Sequence, residues 1–225
     1  MNDQSSNRIA AVAAIGGALL LFVGTYLHPM GADPNVPLAA FTEYAADHHW
    51  VASHLMQLFG VALMVMAMVL LSRCLAGGPA DTAAICGMAA AVASLALAGA
   101  LQAVDGVALK SMVDAWAAAP ESEKVALFHA ALAVRQIEIG LASIASLLLG
   151  LTATIYGVAL LIDPRFPKWS GALALVGGPP TAVAGVVMAY TGFSELAMDI
   201  NMPSSVLLLL WMIALGVHLW KRRAL

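Results

Sequence analysis

Residues 139–162, IGLASIASLLLGLTATIYGVALLI, run without a charge or a proline. A helix needs roughly 20 apolar residues to cross the hydrocarbon of a bilayer, so this stretch reads as a membrane span. The preceding residues 121–138, ESEKVALFHAALAVRQIE, also lack proline, and Pro120 before them is a good helix-start residue. The two stretches together predict one helix about twice the length of a span. Its first half must then stand outside the hydrocarbon.

Five further apolar stretches flank this one, at 8–27, 50–71, 82–104, 169–190 and 204–220. Across the 225 residues, 62% are hydrophobic and 10% charged, with a mean hydropathy of +0.90. That balance leaves too little polar surface for a soluble domain and predicts an all-α membrane bundle of six helices, one domain over 1–225. The first apolar run is longer than a signal-peptide core and is followed by His28, Pro29 and Met30 rather than small residues, so it reads as a retained span. The third helix, with no breaker before Pro120, is expected to continue past its span. Helices three and four would then form an outer helical hairpin over 105–138.

Charge orients the bundle. The short connectors 73–81 and 163–168, with the two termini, hold Arg8, Arg73, Arg165, Lys168, Lys221, Arg222 and Arg223. The other side holds Lys110 and Lys124. By the positive-inside rule both termini are cytoplasmic, and 28–49, 105–124 and 191–203 face outward, the pattern of a multi-pass protein of a bacterial inner membrane. Cys74 and Cys86 fall at the cytoplasmic, reducing ends, where no disulfide is expected.

Three polar pairs interrupt the apolar spans at i, i+3 spacing: His54 with Gln57, Gln102 with Asp105, and Arg135 with Glu138. Residues three apart share a helical face, and charge near a bilayer core is costly, so the pairs are expected to face one another in one outward pocket. At about 1.5 Å of rise per residue all three lie at similar height, the level of His28, Tyr190, Glu195 and Asp199. There Arg135 could hold an anionic group, with Asp105 and Glu138 orienting it or carrying a proton, or the carboxylates could simply neutralise it. His54 could supply pH dependence, or act only as interhelical polar glue.

Other chemistry is less well supported. Asp47, His48, His49 and His54, with Glu43 a turn earlier, form the densest histidine cluster, but adjacent helical residues point about 100° apart and no metal-ligand spacing appears, so no metal is expected. The twelve methionines read as gap fillers, Trp50, Trp169, Trp211 and Trp220 as interfacial anchors, and Gly17 with Gly24 as a close helix contact. Gly177, Gly178, Pro179 and Pro180 predict a break or kink in span five. The cofactor is unknown, nucleic acid is not expected, and the expected partners are the lipid bilayer, a small-molecule ligand and a membrane partner subunit.

Ser53, His54 and Asp105 resemble the Ser, His and Asp set of the ceramidase and adiponectin-receptor-like membrane hydrolases. Those families add two histidines on a late helix, whereas spans five and six here offer only His218, on the other side. His28-Pro29, Trp50 to Gln57, Leu101 to Lys110 and Val134 to Leu141 resemble a group of bacterial six-helix membrane proteins classed as a domain of unknown function. That resemblance implies the fold and the outward polar layer but no reaction. The leading expectation is binding or transport of a small polar or amphipathic molecule. A membrane enzyme using His54 or Asp105 as general base, or using metal chemistry, and a structural or partner-subunit role, are the alternatives.

Overall fold

The computed structural model describes residues 3–222; Arg223, counted above for orientation, lies outside them. The elements are α1 (Asp3–Leu27), α2 (Pro37–Ala46), α3 (Trp50–Leu75), α4 (Asp81–Gln102), a π-helical segment (Ala103–Leu109), α5 (Lys110–Ala118), α6 (Glu121–Ile162), α7 (Lys168–Thr191) and α8 (Glu195–Lys221). Six helices are long and apolar enough to cross a membrane, with α4, the π segment and α5 forming one of them and α6 another. The expected long third and fourth helices are both present, ending and starting around Pro120.

The spanning helices close into a ring in chain order: α1 packs on α3, α3 on α4, α4 on α6, α6 on α7, α7 on α8, and α8 back on α1. Both termini come to one end, where the Arg8 guanidinium lies 5.6 Å from the Trp220 ring centre. We call this the terminal end and the other the distal end. Small residues set the spacing. A Cβ on Gly17 would stand 2.7 Å from the Gly60 carbonyl oxygen, and one on Gly24 would stand 2.7 Å from that of Ser53, so α1 and α3 touch through backbone as expected from the sequence.

Near the terminal end the ring is sealed across its middle. The Tyr156 hydroxyl on α6 donates to the Met68 carbonyl of α3 at 2.9 Å and lies 2.7 Å from the Ser72 hydroxyl, which also reaches the Ala84 carbonyl of α4 at 3.0 Å. One tyrosine thus ties three helices where the surrounding core is aliphatic. Below it, Arg165 donates to both carboxylate oxygens of the buried Asp163 and to the Leu75 carbonyl at 3.2 Å, locking the α6–α7 connector to the end of α3. The Arg165 hydrogen bonds hold the Asp163 carboxyl below the usual carboxylate range.

The distal end has a second, aromatic core. Phe41 and Tyr44 of α2 pack with Trp50, Leu109, Val113 and Ala131, and Trp116 and Phe128 close the cluster. Lys110 donates to the last carbonyls of α2, Tyr44 at 3.0 Å and Ala45 at 3.2 Å, which caps that short helix. Helix α2 has no counterpart in the sequence reading, which left 28–49 as a connector. Pro37 opens it.

Three further expectations change. Of the break or kink expected at Pro179 and Pro180, the break is absent, since helix α7 runs continuously through both, and the Thr181 hydroxyl donates to the Gly177 carbonyl at 2.8 Å, so a side chain supports the turn that the prolines weaken. Helix α8 begins at Glu195, not after residue 203, because the Ser204 hydroxyl serves the carbonyls of Ile200 and Asn201 around Pro203. Trp50 and Trp211 are interior, at 0% and 2% exposure, whereas Trp169 and Trp220 remain about half exposed as interfacial residues would be. Placement at a span end did not reveal that α2 and α5 cover Trp50.

Candidate functional site

The polar layer forms at the distal end, but its pairing is largely between helices rather than within them. His54 Nε2 lies 3.0 Å from Asp105 Oδ2, and the Gln102 amide donates to Gln57 Oε1 at 3.1 Å. Only Arg135 keeps its own-helix partner, donating to Glu138 at 2.6 Å. A face shared at i, i+3 brings Gln102 and Asp105 to the same neighbour, α3.

The π segment makes the His54–Asp105 contact. Its extra residue per turn changes the direction of Asp105 relative to the preceding α-helix. Gly106 lets the backbone come close, since a Cβ there would stand 2.6 Å from the His54 Cβ. The Trp50 indole N–H donates to the Asp105 carbonyl at 3.0 Å, using the donor of a widened turn's neighbour to fix the segment. No spacing rule announces a π turn, and the only sequence signal was a glycine beside an intramembrane aspartate.

Arg135 and Glu138 are 6% and 3% exposed. The Arg135 guanidinium carbon stands 5.6 Å from the Tyr44 ring centre and 4.9 Å from that of Phe193, so two aromatic faces and one carboxylate already occupy it. Neutralisation, the second of the two roles open to Arg135 in the sequence, matches this geometry. Burial pushes the Tyr44 hydroxyl up to about 12. It is a hydrogen-bonding group, not an acid, at any ordinary pH.

The histidine cluster of the sequence does not assemble. His48 and His49 are exposed, Asp47 Oδ1 accepts from the His49 backbone N–H at 2.7 Å, and Glu43 is spent on the backbone N–H groups of Gly31 and Ala32. His28 instead joins His54, with ring centres 4.9 Å apart and Trp50 stacked 4.7 Å from each. Burial, followed by the charge of His54, lowers the His28 pKa, so the ring stays neutral below the pH at which an exposed histidine takes a proton. In the sequence His28 stands at the height of the polar layer and ends the first span, but nothing there pairs it with His54. Ser53 donates to the Trp50 carbonyl at 2.7 Å and is fully buried, which leaves it in helix packing and not in a nucleophile's position.

A cavity of about 420 Å³ opens inside the ring, from the distal end to mid-depth. Its walls come from α1, α3, α6, α7 and α8, and they are mostly apolar, with Phe22, Met30, Met64, Met68, Met202 and Met212 among them. None of His54, Gln57, Gln102, Asp105, Arg135 or Glu138 lines it. Two lining residues also carry buried polar atoms without a hydrogen-bond partner, the Trp211 indole N–H and Asn201 Oδ1. Helices α1 and α8 touch near Gly216, where a Cβ would stand 2.7 Å from Ile15. Toward the distal end both contribute lining residues instead, and Phe22, Tyr26, Met202 and Val206 are also exposed at the bundle surface. The cavity therefore opens sideways, between α1 and α8. Comparison with protein-family models, curated proteins and solved structures finds no match for this chain.

Proposed function

We propose that this chain is a multi-pass protein of a bacterial inner membrane that binds a lipid-like, amphipathic molecule within its helix ring. Both termini face the cytoplasm in this reading, because seven of the nine Lys and Arg outside the hydrocarbon belong to that side. The distal end, with α2, α5 and the first turns of α6, is then the outer face.

The observation that carries the proposal is the 420 Å³ cavity with the Trp211 N–H buried in its wall. The volume is in the range of small-molecule sites. A buried donor without a partner costs about 1–3 kcal/mol, which a carbonyl, ester or ether oxygen of a bound molecule would recover. Asn201 Oδ1, nearer the outer end, suits a hydroxyl or ammonium donor. The opening between α1 and α8 faces acyl chains, which favours a ligand that already lives in the leaflet over a solute from water. Methionines adapt their shape to such chains. Transfer of the molecule between leaflet and outer surface is the use that a sideways opening serves.

The sequence placed the ligand in the polar layer. The proposal moves it to the cavity, because Arg135 is already paired with Glu138, and gives the layer the task of holding the helix ends around the mouth. Native mass spectrometry of protein released from mild detergent tests this. Wild type should carry a discrete organic adduct, Val206→Trp at the mouth should lose it, and Trp211→Phe, which keeps an aromatic ring but removes the N–H, should hold it more weakly. A bare wild-type protein, or an adduct that persists unchanged in both variants, would contradict the proposal.

A further inference from the structure

His28, His54 and Asp105 come from three separate elements: the segment after α1, the second turn of α3, and the π segment. Each offers one ligand atom, and the three atoms lie within 4.8 Å of one another. We propose that these residues form a binding site for a single divalent transition-metal ion, with Zn²⁺ the best fit to two imidazoles and one carboxylate.

Tautomers supply the first argument. His28 Nδ1 lies 2.8 Å from the Pro29 carbonyl oxygen, and His54 Nδ1 lies 2.7 Å from that of Trp50. A carbonyl can only accept, so both Nδ1 atoms carry the hydrogen and both lone pairs sit on Nε2. The Ser53 hydroxyl points the same way, since its proton goes to the Trp50 carbonyl and its oxygen faces His54 Nδ1 at 3.3 Å. Metal-ligating histidines are held in this manner, with the second nitrogen bonded to a backbone carbonyl or carboxylate.

Charge supplies the second. With its hydrogen on Nδ1, a neutral His54 turns the Nε2 lone pair toward Asp105 Oδ2 at 3.0 Å, acceptor against acceptor. The contact calls for a cation, either a proton or a metal ion. Asp105 Oδ1 is buried and has no hydrogen-bond partner, a second free acceptor at the same place. Arg135 and Glu138 are paired with each other, and Gln57 and Gln102 are neutral, so Asp105 is the carboxylate of the layer without an arginine or lysine partner. A divalent ion offsets its charge.

Rigidity supplies the third. Trp50 lies tilted against both imidazoles, 4.7 Å from each ring centre, while its indole N–H holds the Asp105 carbonyl, so one side chain touches all three donor residues. Three protein ligands leave a tetrahedral ion one open position. The Asp105 side chain keeps 15% exposure, a route for the ion from the distal face.

The test uses the full-length protein in mild detergent, stripped with chelator and titrated with Zn²⁺ alone by calorimetry, with metal content by elemental analysis and Co²⁺ absorption reporting tetrahedral geometry. One ion per chain is expected. Affinity should fall at least about 100-fold in His54→Ala and Asp105→Asn and about 10–100-fold in Trp50→Phe, which removes the positioning N–H, with no change in His48→Ala/His49→Ala. Because His54→Ala removes a buried side chain, His28→Gln on the connector gives a second reading. Zn²⁺ should raise the melting temperature of wild type and leave that of His28→Gln unmoved. No binding to wild type would overturn the site and leave a proton as the bridge between His54 and Asp105. Binding that survives His28→Gln but is lost with His48 and His49 would place the metal on the surface and overturn it equally.

Discussion

The two halves of the ring solve the same problem in opposite ways. At the terminal half, Tyr156 crosses the middle and every polar atom it brings is used, so the helices meet in a closed aliphatic core. At the distal half, α1 and α8 part around a cavity, a π segment interrupts α4 and α5, and charged and aromatic side chains fill the remaining contacts. A closed half anchors the bundle, and an open half is free to bind. In a bilayer, where lipid tails are as apolar as leucine, polar ties and close backbone contact hold helices together more than burial does. The difference between the halves therefore lies in whether a polar tie such as Tyr156 crosses the ring.

Substitutions can break this contrast, and the largest effect is expected in the distal layer. Glu138→Ala would leave the Arg135 charge buried beside Tyr44 and Phe193 with no carboxylate, a loss of about 3–5 kcal/mol readable by detergent-induced unfolding in mixed micelles. An unchanged midpoint would mean that Arg135 reaches water. In the closed part of the ring, Gly171→Val should cost about 1–3 kcal/mol, because a Cβ there would already stand 2.6 Å from the Gly157 carbonyl oxygen across the α6–α7 contact. Lowered melting temperature with retained helix content by circular dichroism is the expected sign.

Tyr156→Phe removes one hydroxyl from a three-helix junction and should cost about 1–2 kcal/mol by the same unfolding assay, without altering any adduct seen by native mass spectrometry. Loss of the adduct would show that the two halves are coupled. Asp163→Asn should be smaller and pH-dependent. A carboxylate whose folded pKa is depressed contributes stability that is present above its unfolded pKa and lost as pH falls through the folded one, so variant and wild type should differ at neutral pH and converge in strong acid. Asp114→Ala, at an exposed pair with Lys110, should shift stability by less than about 0.5 kcal/mol.

The helices themselves were more legible in sequence than the side-chain contacts of the distal half, and the reason is physical. Apolar length and the breakers at 77–79, 120, 164 and 167 are local signals, and they located six helices to within a few residues at most ends. Gly17 and Gly24 likewise announced a contact that needs only small residues. The distal half depends on non-local facts. Trp50 looked interfacial because nothing local says that α2 and α5 cover it, and the Asp105 direction depends on a π turn that no periodicity records. Gln102 and Asp105 were expected to face the other two pairs, and each has its partner on α3, but which partner each takes is set by the π turn and not by the i, i+3 spacing. The cavity arises from the parting of α1 and α8, first and last in the chain, so no segment of sequence contains it.

A cryo-electron microscopy map of the protein in lipid nanodiscs tests the central claim most directly. The expected result is elongated non-protein density between the distal halves of α1 and α8, ending within hydrogen-bond distance of the Trp211 indole nitrogen. Helices α1 and α8 closed along their whole length, with the Trp211 N–H bonded to a protein group, would contradict it.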